Sequence, residues 1–162
     1  MNRNNLFPIT CSIILLIYSC GGPSETSSSS NPTPTQQAEP EVTPVDINQK
    51  NDTKGIGKFT SVTLQEVNPA EAKKGKIAFE SVCASCHKVS DERLIGPPLK
   101  GVTTRRTPEW ILNMIINPEE NIKKDPLGKA LLEEYKSVMP YLGTTEEQAK
   151  QILEYLRQND KK

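Results

Sequence analysis

The residues whose spacing carries chemistry are Cys83-Ala84-Ser85-Cys86-His87. C-x-x-C-H is the attachment signature for c-type haem. Two thiols separated by two residues on one helical turn can each add to a vinyl group along one porphyrin edge. The imidazole next door is then set beneath the iron as its proximal ligand. With four Cys and one His in 162 residues, chance gives this pattern about once in a thousand such chains. A structural zinc site would need four Cys or His ligands, and outside the motif only Cys11 and Cys20 remain. A thioredoxin-like C-x-x-C would follow a strand in a βαβ pattern, whereas this one ends an amphipathic helical stretch.

An iron held by His87 needs a second axial ligand, and no second histidine exists. Excluding the start residue, the thioether candidates are Met114 and Met139. Met139 precedes Pro140 in a non-helical stretch, from which a side chain can reach inward. Met114 lies on the apolar face of a predicted helix, where core packing is the ordinary role of a methionine. The chemistry of Met/His ligation therefore favours Met139.

The elements that position these residues have legible start signals. Asn68 as N-cap, Pro69 at the first helical position and Glu71 at the capping-box position open a helix that runs through Ile77, Phe79 and Val82 into the motif. A second helix fits residues 107–117, opened by Thr107-Pro108-Glu109 and closed before Pro118. A third fits 125–136, with Leu127, Leu131, Leu132 and Tyr135 on one face. The last starts at Thr144, with Glu147 completing a capping box, and carries Ile152, Leu153, Tyr155 and Leu156. Phe59 to Val67 is β-prone with incomplete alternation and reads as an extended lead-in or short strand. The pattern predicts a small all-α domain over 58–162. Two Phe and three Tyr are few for its size, and a buried porphyrin would supply the missing apolar bulk.

Residues 1–19 read as an export signal: Arg3 gives a positive n-region and Ile9 to Tyr18 a short apolar stretch. That stretch is far below the ~20 residues needed to span a bilayer. Ile17-Tyr18-Ser19-Cys20 resembles a bacterial lipobox, which would make Cys20 the lipidated first residue of the mature chain. Tyr18 departs from the small or β-branched residue usual in such signals. Residues 20–57 read as a flexible tether, with Ser27-Ser28-Ser29-Ser30 followed by a Pro/Thr/Gln/Glu stretch. Two lysines against five acids give this segment a net charge of −3. The domain carries 17 basic and 15 acidic residues, so the formal neutrality of the chain hides a mildly basic domain on an acidic tether. The basic residues are dispersed among acids, which argues against a nucleic-acid surface. The expected location is outside the cytoplasm, with the domain in the periplasm or on the outer side of the cytoplasmic membrane, held by the lipid on Cys20.

Over most of the last 95 residues the chain resembles the class I cytochrome c family. The resemblance is carried by Gly75 and Phe79 upstream of Cys83-x-x-Cys86-His87, by Gly96-Pro97-Pro98-Leu99-Lys100-Gly101, and by Val138-Met139-Pro140 before a terminal helix. It implies the class I cytochrome c fold, with the first and last helices crossing closely at Gly75, near Ile152 and Tyr155. It implies one covalent haem c on Cys83 and Cys86, iron ligands His87 and Met139, and a Pro97 carbonyl that fixes the His87 ring. Leu99 would pack on the porphyrin. Arg105 would reach a propionate, or is a solvated charge beside Arg106. Trp110 contacts the haem edge or packs in the core. Between Asn117-Pro118 and Met139 the chain is longer than compact members of the family, so residues 119–138 are an insertion.

Together these features predict a one-electron carrier rather than an enzyme, passing electrons between exported redox proteins. Residues 107–139 also resemble small tethered cytochromes that accompany anaerobic respiratory reductases such as nitrous-oxide reductase. Two other readings fit parts of the pattern: a haem sensor or peroxidase-like enzyme with a labile Met139, and an interaction module whose haem is structural.

Overall fold

The computed structural model describes residues 45–162; the expected signal, Cys20 and most of the expected tether lie outside them. Six helices follow in order: α1 (Pro69–Val82), α2 (Val102–Arg105), α3 (Pro108–Ile116), α4 (Pro118–Lys124), α5 (Pro126–Tyr135) and α6 (Glu146–Asp160). Among the described residues there is no strand, only an isolated bridge between Asn51 and Arg106. The β-prone segment 59–67 is thus an extended lead-in.

Four helices begin with proline at the first position, behind Asn68, Thr107, Asn117 or Asp125. Proline there sets φ and forfeits an N–H that had no helical partner. Asn68 Oδ1 accepts from Ala70 N and Glu71 N at 3.0 and 3.3 Å. Thr107 Oγ1 accepts from Trp110 N at 3.1 Å. The expected capping box at Glu71 does not form, because that carboxylate is drawn to Lys74 and Gln151 instead. The last helix starts one residue later than expected. Thr145 caps Gln148 N, and Gln148 Oε1 accepts from Thr145 N at 3.0 Å. Pro118 does not simply end α3; it opens α4 after one non-helical residue, Asn117.

The core centres on α1 against α6, with α3 packed on α6. Ala72, Phe79, Ala149, Ile152 and Leu156 are buried in it. Gly75 lies against the α6 backbone: a Cβ there would fall on the Gln151 carbonyl and within 2.9 Å of Ile152 N. Phe79 and Tyr155 pack ring to ring at 5.4 Å, so the close helix contact implied by the resemblance is present.

Residues 45–62 form a strap laid across α3 and α4, and here the tether boundary at Gly57 is corrected. Asn113 Nδ2 donates to Lys54 O and Phe59 O, both at 2.9 Å, and its Oδ1 accepts from Phe59 N. Asn121 Nδ2 donates to Ile56 O at 2.8 Å while its Oδ1 accepts from Ile56 N at 2.8 Å. Glu109 accepts from Val62 N, and Arg106 donates to Gln49 O and Ile47 O. Composition mislocated the boundary because the strap is held mainly by its own backbone groups, paired with buried side chains, rather than by aliphatic bulk.

Candidate functional site

The attachment motif continues the last turn of α1. Cys83 N donates to Phe79 O at 2.8 Å, and His87 N to Cys83 O at 2.9 Å. The following loop then folds back on the motif, with Gly96 N donating to Cys86 O and Leu99 N to Lys88 O, both at 2.8 Å. This return brings Pro97 O to 2.9 Å from His87 Nδ1. A carbonyl only accepts, so Nδ1 carries the proton and Nε2 keeps its lone pair for a metal. Gly96 lies flat against the imidazole: a Cβ there would come within 2.5 Å of His87 Cε1. Burial pushes the His87 pKa below its ordinary value, and the bond to Pro97 opposes this only in part. The ring is therefore a neutral imidazole with a fixed tautomer, its Nε2 free to bind a metal. Cys83 and Cys86 are partly buried free thiols. Burial, and secondarily the neighbouring Cys86, push Cys83 up to about 11.

The motif opens onto an apolar cleft that also gathers Pro97, Leu99, Trp110, Met114 and Met139. Every expected haem-contacting residue lies on this wall except Arg105. Its Nη1 instead donates to Lys100 O at 2.7 Å. Both methionines reach the cleft. Met114 comes from mid-α3 and is buried with the core, whereas Met139 comes from the non-helical stretch after α5 and is half-buried. Trp110 both lines the cleft and packs in the core, 5% exposed.

The expected insertion builds much of the remaining wall. Leu131, Leu132 and Tyr135 of α5, with Val138 beyond it, line the cleft. Their helical stripe was visible in the sequence, but not which surface it would face. Arg93 is a further residue at this site that sequence reasoning missed. Its guanidinium stacks over Tyr135 at 4.3 Å and its Nη1 donates to Glu134 Oε1 at 2.8 Å. It thereby ties the loop after the haem motif to the end of α5.

The donor set and the walls fit a covalent haem. Ile95, Val138 and Leu142 line the cleft yet are each more than half exposed, large apolar surfaces that a flat apolar ring would cover. Among the described residues no buried side-chain nitrogen or oxygen lacks a partner, so the pocket demands no polar ligand.

Comparison with known proteins gives the same picture. The sequence model of the cytochrome c family matches residues 72–160. Cytochrome c from Rhodothermus marinus is 42% identical, with a TM-score of 0.63, over 65% of this chain and 90% of that one. An engineered form of it, bound to a carbene intermediate, is 43% identical with a TM-score of 0.60, over 65% of this chain and 92% of that one. A cytochrome c-553-like protein of Synechocystis is 34% identical over 47 residues, 29% of this chain and 45% of that protein. The present chain thus spans less than half the length of that relative. With the motif, the fold and a family match over more than half its length, the chain belongs to the cytochrome c family, whose chemistry is haem-based electron transfer, and it binds haem c covalently through Cys83 and Cys86.

Proposed function

We propose that this protein is a one-electron carrier with His87 and Met139 as axial ligands. The observation that carries the reading is the pairing, on one apolar cleft, of a tautomer-fixed His87 with a methionine from a non-helical loop. When bound, haem supplies an iron that cycles between ferric and ferrous states, and Met/His ligation raises its potential. The chain's own residues do the rest. Pro97 holds the His87 ring, Met139 fills the distal position, and Leu99, Trp110 and the α5 wall exclude water. With His87 and Met139 both holding the iron, small molecules would have no ready access to it.

The same reading extends to place and partners. The lipobox-like Ile17-Tyr18-Ser19-Cys20 supports an exported protein anchored by lipid on Cys20, exchanging electrons with exported redox proteins. An anaerobic respiratory reductase such as nitrous-oxide reductase is the acceptor class suggested by residues 107–139. Met139→Ala should abolish the near-infrared sulfur-to-iron band while Met114→Ala keeps it; the reverse pattern would overturn the ligand assignment.

One observation favours a second reading, a haem sensor or peroxidase-like enzyme. The loop bearing Met139 exposes Val138, Tyr141 and Leu142, and an engineered relative is bound to a carbene intermediate. Carbon monoxide separates the two readings. Rapid stoichiometric binding to the reduced wild-type protein at neutral pH would sink the carrier.

A further inference from the structure

Trp110, in the cleft wall, is bracketed by two charged side chains. Its Nε1–H donates to Asp125 Oδ1 at 3.0 Å, and the Arg106 guanidinium lies over its ring, 5.7 Å from the centroid. Asp125 is 2% exposed. Its Oδ1 also accepts from Gly128 N at 2.9 Å, and its Oδ2 accepts from Thr53 Oγ1 at 3.0 Å. One carboxylate therefore joins the α3 wall of the cleft, the first turn of α5 and the strap.

Capping alone does not explain a carboxylate here. Asparagine caps helices as well as aspartate, and a buried charge carries a desolvation penalty that a neutral amide avoids. An Asn side chain could also meet the same partners, its oxygen accepting from Trp110 and Gly128 and its amide donating to Thr53 Oγ1. What Asn would lack is the negative charge. Among the described residues no ion pair neutralises that charge: Arg106 directs its guanidinium to the carbonyls of Ile47, Gln49 and Arg105.

We propose that Asp125 is a positioning residue that also sets the potential of the haem: it fixes the Trp110 wall of the cleft and holds a buried negative charge behind it. The inference rests on the haem-carrier reading. The charge favours the ferric state, because oxidation adds positive charge beside it. Its field reaches Arg106 as well, raising that residue's pKa against the lowering caused chiefly by burial and then by Arg105.

The experiment compares the haem-bearing full chain with its Asp125→Asn and Thr53→Val variants. The readouts are the haem reduction equilibrium against a fixed redox dye, the near-UV circular dichroism of Trp110, and thermal unfolding. For one charge removed at an effective dielectric near 20, Asp125→Asn should shift the equilibrium about tenfold towards the ferrous form, or about 59 mV. The Trp110 signal should persist because the hydrogen bonds are kept. Thr53→Val leaves the charge with one donor fewer and should shift the equilibrium about twofold towards the ferric form. A lowered melting temperature with an unmoved equilibrium would reduce Asp125 to a structural cap and overturn the proposal. If Asp125→Asn does not accumulate with haem, Thr53→Val decides alone by the same criterion. An intact sulfur-to-iron band beside an unmoved equilibrium would refute this assignment and leave the carrier reading standing.

Discussion

Gly75→Ala sets two effects of opposite sign against each other. On an isolated helix, alanine would gain about 1 kcal/mol over glycine. In this fold the new Cβ would land on the Gln151 carbonyl and lie 2.9 Å from Ile152 N. Both obstacles are backbone of α6, so no rotamer change relieves them. Restoring ordinary contact at ~3.5–4.0 Å requires α1 to back away by about 2 Å, and a gap of half that already forfeits a quarter to half of each dispersion contact along the seam. That seam includes Ala72, Phe79, Ala149, Ile152 and Leu156, none more than 4% exposed. Overpacking of this kind costs about 1–3 kcal/mol and more against rigid backbone, so we expect a net loss of about 3 kcal/mol. For a domain of roughly 100 residues that lowers Tm by about 12–24 °C. Thermal unfolding of the haem-bearing protein, followed by far-UV circular dichroism, gives the answer. A variant within about 1 kcal/mol of wild type would mean that helix propensity, not close approach, governs the site.

Asn121→Ala should cost about 2–3 kcal/mol, because it leaves Ile56 N without its partner and Ile56 O with only the Asn117 amide. Hydrogen exchange should show the strap amides near Ile56 losing protection first, and unchanged protection would contradict this. Gly96→Ala pushes a methyl into the His87 ring and should alter the electron paramagnetic resonance of the ferric haem with little loss of helix content. An unchanged spectrum would show that the loop gives way instead. Arg93→Ala removes both the Tyr135 stack and the Glu134 pair. It should cost about 1–2 kcal/mol and speed carbon monoxide entry to the reduced protein. Arg93→Lys keeps the ion pair and should recover only part of each effect in stopped-flow measurements.

Cys83, Cys86 and His87 could be read from the chain because their chemistry is local, a spacing within one turn, whereas Pro97 came only with the family resemblance. Helix starts were legible for the same reason, since a cap and a following proline act within four residues. The signal fails where one dipeptide has two meanings. Asn117-Pro118 reads as a stop, although it is the same Asn-Pro pair that opens α1 at Asn68-Pro69. Thr144 and Thr145 both satisfy the capping-box pattern, with Glu147 and Gln148 respectively. Thr145 takes the role while Thr144 is buried and its carbonyl accepts from the Tyr141 hydroxyl. The four-residue α2 is too short for any periodicity. Arg93, Asp125 and Asn121 find partners 41 to 72 residues away, and no local pattern encodes such pairings.

The α1–α6 contact has a consequence for the order of events as the protein is made. Gln151 Nε2 meets Glu71 across 80 residues of chain, so the helix leading into the haem thiols finds its mate only after the fifteen residues of α6 exist. Fourteen residues of α1, with a glycine in the middle, are marginal as a free helix. Closing so long a loop is also a late, slow step compared with forming local contacts. During that interval Cys83 and Cys86 stand on a mobile, solvated segment, open to the machinery that must join them to haem. Closure of the last helix then leaves both thiols half-buried on the cleft wall, so the contact that orders the finished site is also the one that comes late in folding.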